Sequence, residues 1–223
     1  MRKIVVLTLS LFTLITSAQD QIEKTVGEFK TLKVYDLINV KMIKSTENKV
    51  VITGDNKRDV EVINRNGKLK IRMKVEEIYD GNDTVVKLYY TSVDVIDVNE
   101  GAEITVEDTI DQFEIDLKTQ EGGKIIAELK VTYANIRSVT GGIIKATGTA
   151  KNQDVSLYTG GVYKGAECVS ENSEVSIHAA GEAFVNATEG MDIRIRAGGD
   201  VYVYGDPKRV DESRVFGGRI KRM

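Results

Sequence analysis

The chain has 223 residues, with 31 Lys and Arg, 34 Asp and Glu and one His, for a formal charge of −3. Apolar residues make up 41% and charged residues 29%, a balance that excludes wholesale disorder and argues against nucleic acid as the main partner. One Cys and one His exclude an intrachain disulfide framework, a Cys-rich metal site and the common His-based metal clusters, and leave little room for a His-centred triad.

Residues 1–18 read as a secretory signal peptide. Arg2 and Lys3 precede an apolar run from Ile4 to Ile15, and Thr16-Ser17-Ala18 supplies small residues before a cut at Gln19. The run is too short to span a bilayer of ~30 Å comfortably. Export, to the periplasm or the cell surface, places Cys168 in an oxidising compartment; a buried, inert thiol is expected there. Residues 19–28 form a short leader.

Residues 29–92 are rich in strand signals without a strict period. Phe29, Leu32 and Val34 lead into the apolar cluster Leu37, Ile38, Val40, Met42 and Ile43. Val50 to Thr53 runs into the turn signal Gly54-Asp55-Asn56. Asn66-Gly67 predicts a hairpin between Val60–Ile63 and Leu69–Ile71. Asp80 to Asp83 separates an expected strand at 75–79 from one at 84–90. This segment either caps the remainder of the chain or forms its own sheet.

From residue 93 the chain repeats. Gly101, Gly123, Gly142, Gly161, Gly181, Gly199 and Gly218 stand 22, 19, 19, 20, 18 and 19 residues apart. Six residues before the first six markers stand Val95, Leu117, Ile136, Val155, Val175 and Ile193; two after the last six stand Ile125, Ile144, Tyr163, Ala183, Val201 and Ile220. Polar residues alternate with these, the period of strands with one dry face. Stacking equivalent strands buries that face and makes a solenoid. At ~3.3 Å per residue, one repeat traces a loop of ~65 Å, which suits one coil of a β-helix. The expected fold is all-β: a single-stranded, right-handed parallel β-helix over 93–223, with about seven coils of roughly 20 residues. An antiparallel meander with Gly-Gly hairpins is the competing reading.

Candidate chemistry is sparse. Residues 94–116 carry nine acids and no Lys or Arg, which reads as a solvated face, against a calcium site or an acid pair. His178 is out of phase with Ile177 and reads as a surface residue. About half of the strand tyrosines, from Tyr79 to Tyr204, are expected in the core and the rest outside, where they can stack on sugars. The basic stretch 208–223 against the acidic first coils suggests a rod with oppositely charged ends and weak homo-association. No catalytic, cofactor-binding or metal-ligating residue set emerges, no cofactor is implied, and ligand-binding residues stay unassigned.

The chain resembles the bacterial family called putative auto-transporter adhesin, head GIN domain. The resemblance runs from Phe29 to Met223 through Phe29-x-x-Leu32-x-Val34, Leu37-Ile38-Asn39-Val40, Val50 to Asn56, Asn66 to Ile71, Gly205-Asp206-Pro207 and Val215 to Ile220. It implies a β-solenoid domain over 29–223, export, and no established activity. Asp83-Thr84-Val85 and Asp108-Thr109-Ile110 resemble the Asp-Thr-apolar O-glycosylation tripeptide of Bacteroidetes. The functional expectation is a non-catalytic, exported cell-envelope module with an adhesin-like or structural role, binding a glycan or a protein. The alternative is a carbohydrate-active β-helix enzyme, which needs carboxylates converging in a groove.

Overall fold

A computed structural model describes residues 21–223; the expected export signal over 1–18 lies outside the described residues. The fold is all-β, 68% strand, arranged as a β-solenoid of about 7 turns. The irregular part holds β1 (Ile22–Thr25), β2 (Thr31–Val34), β3 (Asn39–Lys44), β4 (Lys49–Gly54), β5 (Val60–Arg65), β6 (Lys68–Met73) and β7 (Thr84–Tyr90). The coiled part holds β8 (Val95–Val98), β9 (Glu103–Val106), β10 (Ile110–Thr119), β11 (Lys124–Val139), β12 (Ile143–Tyr158), β13 (Val162–Ile177), β14 (Glu182–Ala197), β15 (Asp200–Tyr204), β16 (Arg209–Phe216) and β17 (Arg219–Arg222).

The periodic positions stack as the repeat predicts. Leu117, Ile136, Val155, Val175 and Ile193 are successive register partners in parallel strands, and all are buried. Ile125, Ile144, Tyr163, Ala183 and Val201 make a second buried column. Each buried Ile or Leu contributes about 1.5–3 kcal/mol relative to exposure. Pairing between successive coils is parallel, which removes the meander.

The Gly pairs join the two columns, and their two residues have different reasons. Thr140 and Gly141 (φ 47° and 71°), like Thr159 and Gly160 (φ 48° and 77°), make a turn of two left-handed residues. The second Gly, Gly142 or Gly161, lies against the coil beneath: a Cβ on Gly161 would sit 2.2 Å from the Ser138 carbonyl oxygen. Gly101 belongs to the first of these stations, because Ala102 hydrogen-bonds Lys124 where Gly123 bonds Ile143. The first repeat is therefore shifted by one residue. Ile96, and not Val95, faces inward and pairs with Leu117.

The irregular segment joins the same sheet, in an order that differs from the chain. β2 lies between β6 and β8, and β3 lies between β7 and β9, all parallel. The rung 68–90 is thus outermost, 31–44 is next, and 95–106 comes third. Antiparallel strands cover this end: β4 on β7, β1 on β4, and β5 on β6 through the Asn66-Gly67 turn (φ 51° and 73°). Residues 75–79 are not a strand. Val75–Glu77 is a 3-10 turn, and Val75, Ile78 and Tyr79 are exposed. Because two lysine-bearing rungs lie outside 95–106, the acidic coils are interior to the stack, and the expected pair of oppositely charged ends is not formed.

The far end closes differently. In β16, Glu212 lies over Ile193 and Arg214 over Ile195; in β17, Arg222 lies over Val203. Glu212 and Arg222 pair at 3.7 Å. Charges at inward positions end the dry column and discourage another strand from adding to the edge.

Candidate functional site

Along one side of the solenoid the alternation breaks. Val131, Ala150 and Ser170 face inward, then two successive residues face out in each coil: Thr132–Tyr133, Lys151–Asn152 and Glu171–Asn172. Two outward residues in a row bend the strand, and stacking the bends makes a corner running across the rungs. A shallow trough of 770 Å³ lies there, with Thr149, Ala150 and Val169 among its lining residues and Phe113 on its wall. A neighbouring hollow of 610 Å³ shares Phe113 and Gln112, and another of 390 Å³ is lined by Tyr133, Asn152 and Asn172. Phe113 is 65% and Tyr133 42% exposed, and their rings meet at 5.4 Å with a tilt of 59°. Exposed aromatic rings on successive rungs are the main apolar surface of this side.

One wall of the 390 Å³ hollow is acidic. Asn135, Asp154, Glu174 and Asp192 are successive register partners, so their side chains stand in one outward column. The adjacent outward column holds Arg137, Ser156, Ser176 and Arg194. Arg194 engages both Glu174 and Asp192, the latter at 3.1 Å. Asp154 makes no salt bridge among the described residues; burial, then the Glu174 charge, pushes its carboxyl above the usual range. The carboxylates therefore line one wall side by side instead of facing each other across the hollow. Among the described residues, no group of three or more His, Cys, Asp or Glu is arranged to hold a metal ion.

The acidic stretch 94–116 is dispersed. Neighbouring rungs supply cations that it lacks, Lys33 to Asp97, Lys124 to Glu103 at 3.1 Å and Lys130 to Asp111 at 2.8 Å, and Lys118 on the same strand pairs with Asp116 at 2.7 Å. His178 stacks on Tyr158 at 4.1 Å, and burial followed by the Arg196 and Arg137 charges holds its imidazole below the usual range. Cys168 is buried, and burial pushes its thiol up to about 11, so it is unreactive. Of the strand tyrosines only Tyr90 and Tyr163 are buried, fewer than half, because most occupy outward positions. Thr84 is fully buried, which withdraws it as a glycan acceptor in the folded chain, whereas Thr109 is exposed. The Phe113–Tyr133 pair was not singled out by the sequence as a site; its signal was two aromatics one repeat apart at the broken alternation.

A family model described as "Putative auto-transporter adhesin, head GIN domain" matches residues 28–207. The chain belongs to this family. Among solved structures, a putative adhesin from Bacteroides fragilis is similar at a TM-score of 0.83 and 19% identity, covering 92% of this chain and 96% of that one. A putative adhesin from Parabacteroides merdae matches at TM-score 0.72 and 16% identity, over 92% and 95%. A protein from Parabacteroides distasonis described as a putative lipid binding protein matches at TM-score 0.72 and 16% identity, over 92% and 96%. At these identities the likeness is one of fold. No curated protein matches the chain. Among the described residues, no helix is long and apolar enough to cross a membrane.

Proposed function

We propose that this head GIN domain is a non-catalytic, exported binding module of the cell envelope that takes an extended polar chain, a glycan, across its rungs. The supporting observation is the trough with the Phe113–Tyr133 pair at its wall. Tilted, exposed aromatic rings offer faces to the apolar sides of sugar rings. Asn152 and Asn172 supply amide partners one rung apart, at ~4.8 Å, and Thr149 adds a hydroxyl on the same rung as Asn152. The adhesin-like family assignment supports binding over turnover. So does the carboxylate wall, since Glu174 and Asp192 are occupied by Arg194.

An acyl chain is a poorer fit. It needs a deep apolar cavity, and the inward columns are filled by side chains such as Tyr163, Leu117 and Ile144. The carbohydrate-active alternative rests on one feature, the raised Asp154 carboxyl beside Glu174. A glycan panel probed with the full chain and with Phe113→Ala/Tyr133→Ala tests the reading. Saturable binding that drops at least ten-fold in the double variant, with no cleavage products by mass spectrometry, is expected. Binding unchanged in the variant contradicts the assignment of the trough. Product release that is lost in Asp154→Asn contradicts the non-catalytic role.

A further inference from the structure

A second side of the solenoid carries an outward column that the trough does not use. Lys87, Lys41, Thr105, Ile126, Lys145, Lys164, Phe184, Tyr202 and Lys221 are successive partners in register along it. Lys145 and Lys164 are directly opposed, both exposed, and neither makes a salt bridge or a hydrogen bond among the described residues. Like charges directly opposed across a strand pair are destabilising. The same column holds a second exposed lysine pair, Lys41 and Lys87. The Lys145–Lys164 pair also borders a pocket.

Beside the pair is a pocket of 220 Å³, lined by both lysines, Ala146, Ala166, Glu167 and Phe184. It sits where the register slips: Lys145 pairs with Lys164, but Thr147 pairs with Glu167, so one extra residue bulges out of the strand. Bulges commonly re-aim side chains at functional sites. Phe184 stacks on Tyr202 at 4.5 Å with an angle of 4°, and Lys221 lies over the Tyr202 ring at 5.0 Å. Tyr202 therefore covers one face of Phe184, while Phe184 also borders the pocket. Glu167, the one carboxylate in the lining, is not bridged to either lysine.

We propose that this pocket is an anion subsite for an acidic sugar unit, with the sugar carboxylate between the Lys145 and Lys164 ammonium groups and its apolar ring face on Phe184. The two ammonium groups supply the charge complement. Phe184 supplies the platform. The pocket is short, and the core beneath it is closed by Ala146 and Tyr163, both fully buried, so it admits a ring and not an acyl tail. This inference goes beyond the trough and does not depend on it, because Phe113 and Tyr133 lie on another side.

Calorimetric titration of the full chain with a galacturonate oligosaccharide, its methyl-esterified neutral form, and laurate tests the site. The acid form is expected to bind saturably, with affinity falling as salt rises. The esterified form is expected to bind at least ten-fold more weakly. Lys145→Gln/Lys164→Gln and, separately, Phe184→Leu are each expected to weaken the acid form at least ten-fold while thermal melting stays that of the parent. Equal binding of the esterified form, unchanged binding by the lysine variant, saturation by laurate in preference to the sugar, or no binding by any probe overturns the proposal. Phe113→Ala/Tyr133→Ala serves as the control for the trough and is expected to leave this binding intact.

Discussion

The two halves of the molecule use one kind of rung and assemble it differently. Over residues 110–204 each coil lies on the coil that precedes it in the chain, so partners such as Leu117 and Ile136, or Ile144 and Tyr163, are about one repeat apart. Over residues 31–106 the first rung is held between two later ones. Leu32 pairs with Leu69 on one side and with Ile96 on the other. The difference teaches that a local repeat specifies its own register, whereas the interleaved end depends on long-range pairing that must close larger loops before any burial is gained.

The largest effect that separates these regimes is steric and belongs to the regular half. Gly161→Ala places a Cβ 2.2 Å from the Ser138 carbonyl oxygen in a backbone that cannot move without disturbing the stack. A loss of about 4 kcal/mol or more is expected by chemical denaturation, at the upper end for single substitutions. Next is Leu32→Ala, which empties a site in contact with two non-sequential rungs; about 2–5 kcal/mol is expected. Its signature is lost hydrogen-exchange protection in both 68–73 and 95–98, with 144–204 less affected. Ile144→Ala is expected to cost a similar amount and to expose 125–127 and 162–165 instead. If Leu32→Ala opens only one of its two neighbours, the interleaving is wrong.

Gly160→Ala is the smaller counterpart of Gly161→Ala. Gly160 has φ 77° and a Cβ added there would meet nothing within 4 Å, so only the left-handed backbone is penalised. A loss of about 1–2 kcal/mol is expected. Equal losses at Gly160 and Gly161 would remove the distinction between the two turn stations.

The smallest effect concerns pH at the interleaved end. Burial, then a hydrogen bond with Asp36, holds the Glu100 carboxyl above its ordinary range. The folded state therefore binds this proton more tightly than the unfolded chain does. Its contribution is full below the unfolded value and is lost as pH rises through the folded one. Glu100→Gln is expected to melt slightly above the parent at pH 7, by about 0.5 kcal/mol, and to lose that advantage at pH 4. The same gap at both pH values contradicts the coupling.

The regular half was legible because its contacts follow the repeat: residues 18 to 20 apart fall in the same column. The one slip, Val95 for Ile96, came from treating Gly101 as the second turn residue when Ala102 fills that station. The cap was not legible in the same way. β4 and β5 share the alternation of the solenoid strands but pair antiparallel, and a period of two carries no direction. The rung order was hidden because Leu32, Leu69 and Ile96 share no spacing. Val75, Ile78 and Tyr79 looked like strand residues, yet no neighbouring rung covers them. The trough was missed because the corner that builds it breaks the very alternation used to read the strands, and the lysine pair emerges only once Lys145 and Lys164 are seen side by side.

Distances between spin labels in the lysine column test the central claim, that side chains line up rung by rung in the interleaved order. Lys41 is seven rungs from Lys221 and Lys87 is eight, by the chain of register partners. At ~4.8 Å per rung the backbone separations are ~34 and ~38 Å. The account predicts that a label at 87 lies about one rung farther from a label at 221 than a label at 41 does. A label at 41 farther away than one at 87, or separations that do not scale with rung number, would contradict it.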